Sequence, residues 1–287
     1  MKICLRGRKR NIILTKKKMN KEIRFVFFGS SSFSIEVLDT LETLGLSPVA
    51  VVTMPDRPRG RKLILTENPV KTWAKERNIK VIEEVNGINA DVFVVASYGK
   101  ILPEKLINTP KFKTLNIHPS LLPKLRGPSP IQGAILGENE TGVSIMRLDS
   151  KMDHGPILAQ KKVEFNKWPD KYSVVEKTLA EAGAKLLAET LPRWLKNEVP
   201  EVSQDESLAT FTHMIKKEDA DISNDSPEMA LRKVYAYEIW PRARKGELVI
   251  TKAHIENEKF VPDRVIPSGK EEMDYKDYLN GHPKVIF

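Results

Sequence analysis

Residues 23–44 read I-R-F-V-F-F-G-S-S-S-F-S-I-E-V-L-D-T-L-E-T-L. This stretch decides the fold class because its hydrophobic period changes in the middle. Ile23–Phe28 is a β-branched and aromatic run that stops at Gly29, the pattern of a strand buried on both faces. Ser30–Ser32 offers hydroxyls to cap a helix, and Phe33–Leu44 then carries Ile35, Leu38 and Leu41 at helical spacing. Gly45 and Pro48 end that helix.

The same alternation repeats outward. Val49–Thr53 reads as a second strand and Pro69–Asn78 as a helix holding Val70, Trp73 and Ala74. Val81–Ile82, Ala90–Ala96 and Leu115–His118 read as further strands. Strands alternating with helices predict an α/β fold, a Rossmann-like and mostly parallel sheet. Ligands in such sheets bind beyond the carboxyl ends of the strands. Gly142–Leu148 and Ile157–Val163 alternate enough to be strands. Ser173–Lys196 is the clearest helix, and its stripe of Val174, Leu179, Ala182, Leu186, Leu187 and Leu191 is assigned to core packing. Residues 197–209 are polar and read as a linker. Met229–Tyr237 is a helix broken by Trp240-Pro241, and Glu247–Ile255 begins a short β region. The expected division is a basic leader over 1–20, a catalytic domain over 21–196, a linker over 197–209 and a small β domain over 210–287.

At 287 residues the chain suits two domains, and 40% hydrophobic content is enough for ordinary cores. No apolar run approaches the roughly 18 residues of a membrane helix, so no membrane partner is expected. The formal net charge is +9. Of the 47 Lys and Arg, nine fall in residues 1–21, which hold no acid, leaving 38 against 38 Asp and Glu. Basicity is thus a property of the leader, and a block of like charge is expected to be solvated. The leader reads as an upstream start ahead of Met19, with a cytoplasmic protein expected. A transit peptide is the alternative, weakened because the stretch is rich in Lys and lacks Ser. The single cysteine, Cys4, lies in this leader, which excludes an intrachain disulfide and a Cys-based metal site and favours a reducing compartment.

The chemistry gathers between Asn116 and Gly155, which opens N-I-H-P-S-L-L-P-K-L-R-G-P-S-P and closes M-D-H-G. Asn116 and His118 are one residue apart on an extended chain, so they project to the same side. A carboxylate arriving from Asp153 could orient the imidazole or tune it. Amide, imidazole and carboxylate together suit oxyanion stabilisation and proton management in acyl transfer. Each has a duller reading alone: a turn Asn, a half-buried imidazole, a turn Asp before Gly155. His154 falls at the variable place of D-x-G and reads as structural or solvent-facing. Arg57, Arg59, Arg61 and Lys62 form a basic stretch inside Met54–Pro69, which shows little secondary-structure pattern, and long loops in compact domains are often functional.

Five stretches together resemble the methionyl-tRNA formyltransferases. They are F-F-G-S-S-S-F, T-M-P-D-R-P-R-G-R at 53–61 with N-P-V-K at 68–71, S-Y-G-K-I-L-P at 97–103, the Asn116–Gly155 segment, and the late I-P-S-G-K-E-E-M. The N-x-H-x-S-L-L-P…R-G pattern with a later D-x-G marks the folate-dependent formyltransferase superfamily, and the P-D-R-P-x-G-R loop points to its tRNA branch. The resemblance implies transfer of the formyl group of 10-formyltetrahydrofolate to the α-amino group of methionyl-initiator tRNA, without a metal or a covalent intermediate, by a monomer. By the same resemblance Asn116 and His118 would donate hydrogen bonds to the tetrahedral oxyanion. Asp153 would hold His118 and help remove the amine proton through water. Folate would lie near Ser120, Leu121, Leu122 and Pro123, with Ser97, Tyr98, Gly99, Ile101 and Leu102 lining the pterin pocket. Arg57, Arg59, Arg61, Lys62, Arg242 and Arg244 would meet tRNA phosphate.

The C-terminal region departs from that pattern. The family usually ends in a full OB-like barrel, for which residues 210–287 are too few, so a shortened OB-like β domain is expected. Residues 206–287 hold 13 Lys and Arg against 15 Asp and Glu, so no basic cradle is visible there. The expected grip on tRNA therefore rests chiefly on residues 57–62, with the basic leader as a secondary candidate. The competing readings are a formyltransferase acting on a sugar-nucleotide amine and a non-catalytic tRNA-binding protein on the same scaffold. A dinucleotide-dependent oxidoreductase is excluded by the lack of G-x-G-x-x-G after the first strand.

Overall fold

The computed structural model describes residues 23–59, 64–85 and 87–282. The basic leader with Cys4 and Met19, and Arg61 and Lys62 of the basic stretch, lie outside these residues. In chain order the elements are β1 (Phe25–Phe28), α1 (Ser32–Thr43), β2 (Ala50–Val52), β3 (Arg57–Arg59), β4 (Ile64–Thr66), α2 (Pro69–Glu76), β5 (Lys80–Val81), β6 (Val92–Val95), α3 (Glu104–Ile107), β7 (Thr114–His118), α4 (Pro130–Gly137), β8 (Thr141–Arg147), β9 (Ile157–Val163), α5 (Tyr172–Trp194), α6 (Pro227–Ala236), β10 (Arg244–Lys245), β11 (Leu248–Glu256), β12 (Lys259–Ile266), β13 (Met273–Asp274) and α7 (Tyr275–Gly281).

Seven strands make the central sheet in the order β5-β2-β1-β6-β7-β8-β9. The pairings from β5 to β7 are parallel, and β8 and β9 add antiparallel. The turn from β1 into α1 works as its sequence suggests. The Ser31 side chain caps Ser34 N–H, Ser34 Oγ answers to Ser31 N–H, and Ser34 Oγ also donates to the Ala96 carbonyl at 2.7 Å. One serine thus closes the helix start and pins it to the end of β6.

Strand alternation splits the sheet into two unequal faces. Phe25 and Phe27 of β1, Val92 and Val94 of β6, and Leu115 and Ile117 of β7 join the large core beneath α1, α2 and α5. Val26, Phe28, Phe93 and Val95 face the other way into a small cluster, covered by Ile88, Tyr98, Leu102, Leu106 and Leu148 from loops and the short α3. Among the described residues no long helix packs on this second face.

Met54–Pro69 is not patternless. β3 and β4 close it as an antiparallel hairpin, with Arg57 opposite Thr66 and Arg59 opposite Ile64. The strands are three residues long and one carries Pro58, too little for a period to register. The C-terminal region is a small antiparallel sheet, β10-β11-β12-β13, whose end strands do not pair with each other among the described residues. α6 ties it to the catalytic part: Ala230, Val234 and Tyr235 share one core with Ile131, Ile135, Ile250 and Val265. Among the described residues no helix is long and apolar enough to cross a membrane.

Candidate functional site

β7 delivers three polar side chains to the thinly covered face. Leu115 and Ile117 point into the large core, so Thr114, Asn116 and His118 point the opposite way. β8 fixes the register, with Asn116 opposite Met146 and His118 opposite Ser144. Asn116 is 8% exposed, and among the described residues its amide is engaged by no hydrogen bond. An amide left free at a strand's carboxyl end is chemically able to donate to a bound oxygen.

His118 is held from one side. Its Nε2 lies 3.1 Å from the Leu125 carbonyl, and a carbonyl only accepts, so Nε2 carries the proton. Nδ1 then faces Asp153 Oδ1 at 3.6 Å, too far for a direct hydrogen bond. The other Asp153 oxygen accepts the Gly127 N–H at 2.8 Å. The expectation that Asp153 itself grips His118 is therefore refined: the Leu125 carbonyl sets the ring, and the carboxylate stands off by a gap. Leu125 and Asp153 both sit at positive φ, 60° and 49°. Such strain clusters where backbone geometry serves chemistry.

The loop after His118 is braced from β8 and β9. Ser120 Oγ donates to the Lys124 carbonyl at 2.7 Å. Ser144 Oγ donates to the Ser120 carbonyl and accepts the Leu122 N–H, while Gln160 Nε2 donates to the Leu122 carbonyl. Ser120 and Leu122 are buried in this bracing, whereas Leu121 and Pro123 are half-buried at its edge. Ser144 and Gln160 were not singled out in the sequence, and only their alternation on strands hints at them.

Ser97–Leu102 follows β6, the neighbour of β7, so the two segments share one end of the sheet. Ser97 and Gly99 are exposed. Tyr98 and Leu102 are half-buried, and Ile101 stands out in solvent. The Tyr98 ring meets Phe28 edge-on at 5.5 Å, and burial pushes its phenol up. The Ser30 N–H donates to the Ser97 carbonyl at 3.1 Å, tying β1 to β6 at the switch point where such sheets hold ligands.

Beside Pro128 and Ser129 lies a cavity of about 290 Å³. Ser32, Pro128, Tyr172, Met214, Ile239 and Trp240 line it, and the last two with Met214 are well exposed. Beneath it Glu176 is buried and accepts hydrogen bonds from Ser32 Oγ and Tyr172 OH at 2.8 and 2.9 Å. Burial pushes the Glu176 carboxyl up.

The basic residues are spread out. At the hairpin base Lys71 donates to Asp56 at 2.7 Å, holding that carboxyl below the usual range, and Asp56 also accepts the Asn68 N–H. Arg57 is exposed on the hairpin. Arg242 is exposed as well, whereas Arg244 is half-buried in β10 and donates to the Pro241 carbonyl at 3.0 Å. His154 pairs with Asp149 at 2.6 Å. Among the described residues no group of three or more His, Cys, Asp or Glu is placed to hold a metal.

Residues 22–191 match the family described as formyl transferase. A methionyl-tRNA formyltransferase of Chloroflexus aggregans is 44% identical over 235 residues, 77% of this chain and 75% of that protein. Another, from Bacillus licheniformis, is 35% identical over 300 residues, 90% of this chain and 95% of that protein. Among solved structures, an N-formyltransferase from Helicobacter canadensis, in complex with folinic acid and dTDP-3-aminofucose, is similar with a TM-score of 0.65 at 19% identity. That likeness covers 86% of this chain and 96% of the other, and it concerns the fold.

Proposed function

The chain belongs to the formyl transferase family, and we propose that it carries the formyl group of 10-formyltetrahydrofolate to the α-amino group of methionyl-initiator tRNA. The observation that carries this reading is the joint placement of Asn116, His118 and Asp153 at the end of β7, with the Asn116 amide uncommitted. The amine attacks the formyl carbon, and the carbonyl electrons move to oxygen. Asn116 donates its amide N–H to that oxyanion. His118 cannot use Nε2–H for it, because Leu125 occupies that donor; its free nitrogen is Nδ1, on the Asp153 side. The amine proton passes to this Nδ1–carboxylate pair. The oxyanion then collapses, the bond to N10 of the folate breaks, and N10 takes a proton.

Folate lies along Ser97–Leu102 and the 121–123 edge, with Ser120 and Leu122 supporting that edge from below. The aminoacyl end enters the cavity beside Pro128, where exposed Trp240 and Met214 offer a stacking face and a soft apolar wall to a terminal base and a thioether. Arg57, exposed on the hairpin, meets phosphate, with Arg242 as a second point. The enzyme acts as a cytoplasmic monomer.

The test is formyl transfer from 10-formyltetrahydrofolate to methionyl-tRNA, run beside amino-sugar nucleotides. Turnover on the tRNA supports the reading, and turnover on the sugars alone overturns it.

A further inference from the structure

The polar segment that follows α5 does not run free. Val202 and Ile157 exchange both backbone hydrogen bonds, at 2.8 and 2.9 Å. Further on, the Arg126 N–H donates to the Thr210 carbonyl at 2.9 Å and the Thr212 N–H donates to the Arg126 carbonyl at 2.7 Å. Gln204 stands between these two anchorages. Its Nε2 donates to the carbonyls of Asp153 at 2.8 Å and Gly155 at 2.7 Å. Its Oε1 accepts from Arg126 Nε at 3.1 Å and Nη2 at 2.9 Å.

This arrangement has a fixed polarity. Arginine carries donors only, so the Gln204 amide cannot turn over without setting its NH₂ against the guanidinium. The face toward Asp153 must be the donor face. Arg126 is itself 2% exposed, and Glu206 closes the rest of its fork at 2.9 and 2.6 Å. The neighbouring Gly127 N–H meets the Asp153 carboxylate directly. Asp153 is thus held at its carbonyl through Gln204 and at its carboxylate through Gly127.

Asp153 needs both holds, because its φ of 49° is one that L side chains seldom adopt, and the aim of its carboxylate follows from that backbone.

We propose that Gln204 is a positioning residue for formyl transfer. By fixing the carbonyls on either side of His154 it aims the Asp153 carboxylate at His118, and it makes the segment 202–212 part of the catalytic apparatus. The proposal rests on the formyl-transfer reading above. Gln204 touches no substrate and acts only through Asp153.

Two variants test it. Gln204→Glu still accepts from Arg126 but turns an oxygen toward the two carbonyls; Gln204→Ala removes both interactions. Gln204→Glu is expected to lose up to about 10²-fold in kcat, the scale of a misplaced catalytic group, with KM for both substrates unchanged. Gln204→Ala is expected to lose kcat in the same way. In an Asp153→Asn background neither change should lower the residual rate further, because both act through the group already disabled. Rates are compared on whichever acceptor the wild type formylates, so a failure of the tRNA reading shows in the wild type and leaves the comparison intact. Wild-type kcat in both variants, or the same fold-loss in the Asp153→Asn background, would overturn the proposal.

Discussion

Gly183 of α5 lies so close to Ile117 of β7 that a Cβ on Gly183 would come within 2.5 Å of the Ile117 Cγ2 atom. The longest helix therefore presses on the strand that carries Asn116 and His118, on the face opposite the site. Gly183→Ala should cost about 1–3 kcal/mol of stability through overpacking and lower kcat as β7 shifts. Gly137, also helical, has nothing within 4 Å of its would-be Cβ. Gly137→Ala should be neutral or stabilising, by up to about 1 kcal/mol. Denaturant midpoints for the two variants check the contrast, and equal effects would refute it.

Asn116→Ala removes an N–H aimed at charge that exists only in the transition state. Loss of one such donor lowers kcat by roughly 10²–10³-fold. Folate affinity should stay close to wild type, since the amide is aimed at the reacting oxygen. Single-turnover rates with equilibrium folate binding separate the two effects. A weakened affinity with intact turnover would reassign Asn116 to ground-state binding.

Glu176 gives a pH signature. Burial raises its carboxyl above the ordinary 4.5, outweighing the hydrogen bonds from Ser32 and Tyr172. The folded state holds that proton more tightly than the unfolded chain does. Stability therefore falls as pH rises from about 4.5 through the raised folded value. Glu176→Gln keeps an acceptor for both hydroxyls without the buried charge. The variant should be more stable than wild type at pH 8, with the gap closing toward pH 4. Thermal unfolding across that range checks it, and a gap that grows on acidification contradicts it.

Arg57 stands exposed on the β3–β4 hairpin, whose base is tied by Asp56 and Lys71. If it meets a tRNA phosphate, Arg57→Ala should weaken tRNA binding and reduce the salt slope of the affinity by about one. Lys71→Ala should loosen the hairpin and act in the same direction. An unchanged slope for Arg57→Ala would move the tRNA contact elsewhere.

Much of this was legible in the chain. The run Ile23–Phe28 with its serines gave the strand-to-helix turn, and period two put Asn116 and His118 on one side, as they are. Three things were hidden, each for a reason of distance or scale. The backbone of Ser120 and Leu122 is braced by Ser144 and Gln160, partners 22 to 38 residues away. The hairpin in Met54–Pro69 has strands too short to show a period. Residues 197–209 look like a linker because they are polar, and the polarity of Gln204 and Glu206 is used on Arg126 instead. Composition reports that a segment is polar; it does not report whether its partner is water or a buried guanidinium.

The central claim is that the carboxylate standing 3.6 Å from His118 takes part in removing the amine proton. The direct measurement is the single-turnover rate of formyl transfer from 10-formyltetrahydrofolate to methionyl-tRNA by the wild type and by Asp153→Asn, with both substrates saturating. The account predicts a rapid wild-type reaction and a fall of roughly 10²–10⁴-fold in the variant, the range of a lost general base. An Asp153→Asn enzyme that turns over within a few-fold of wild type would contradict it.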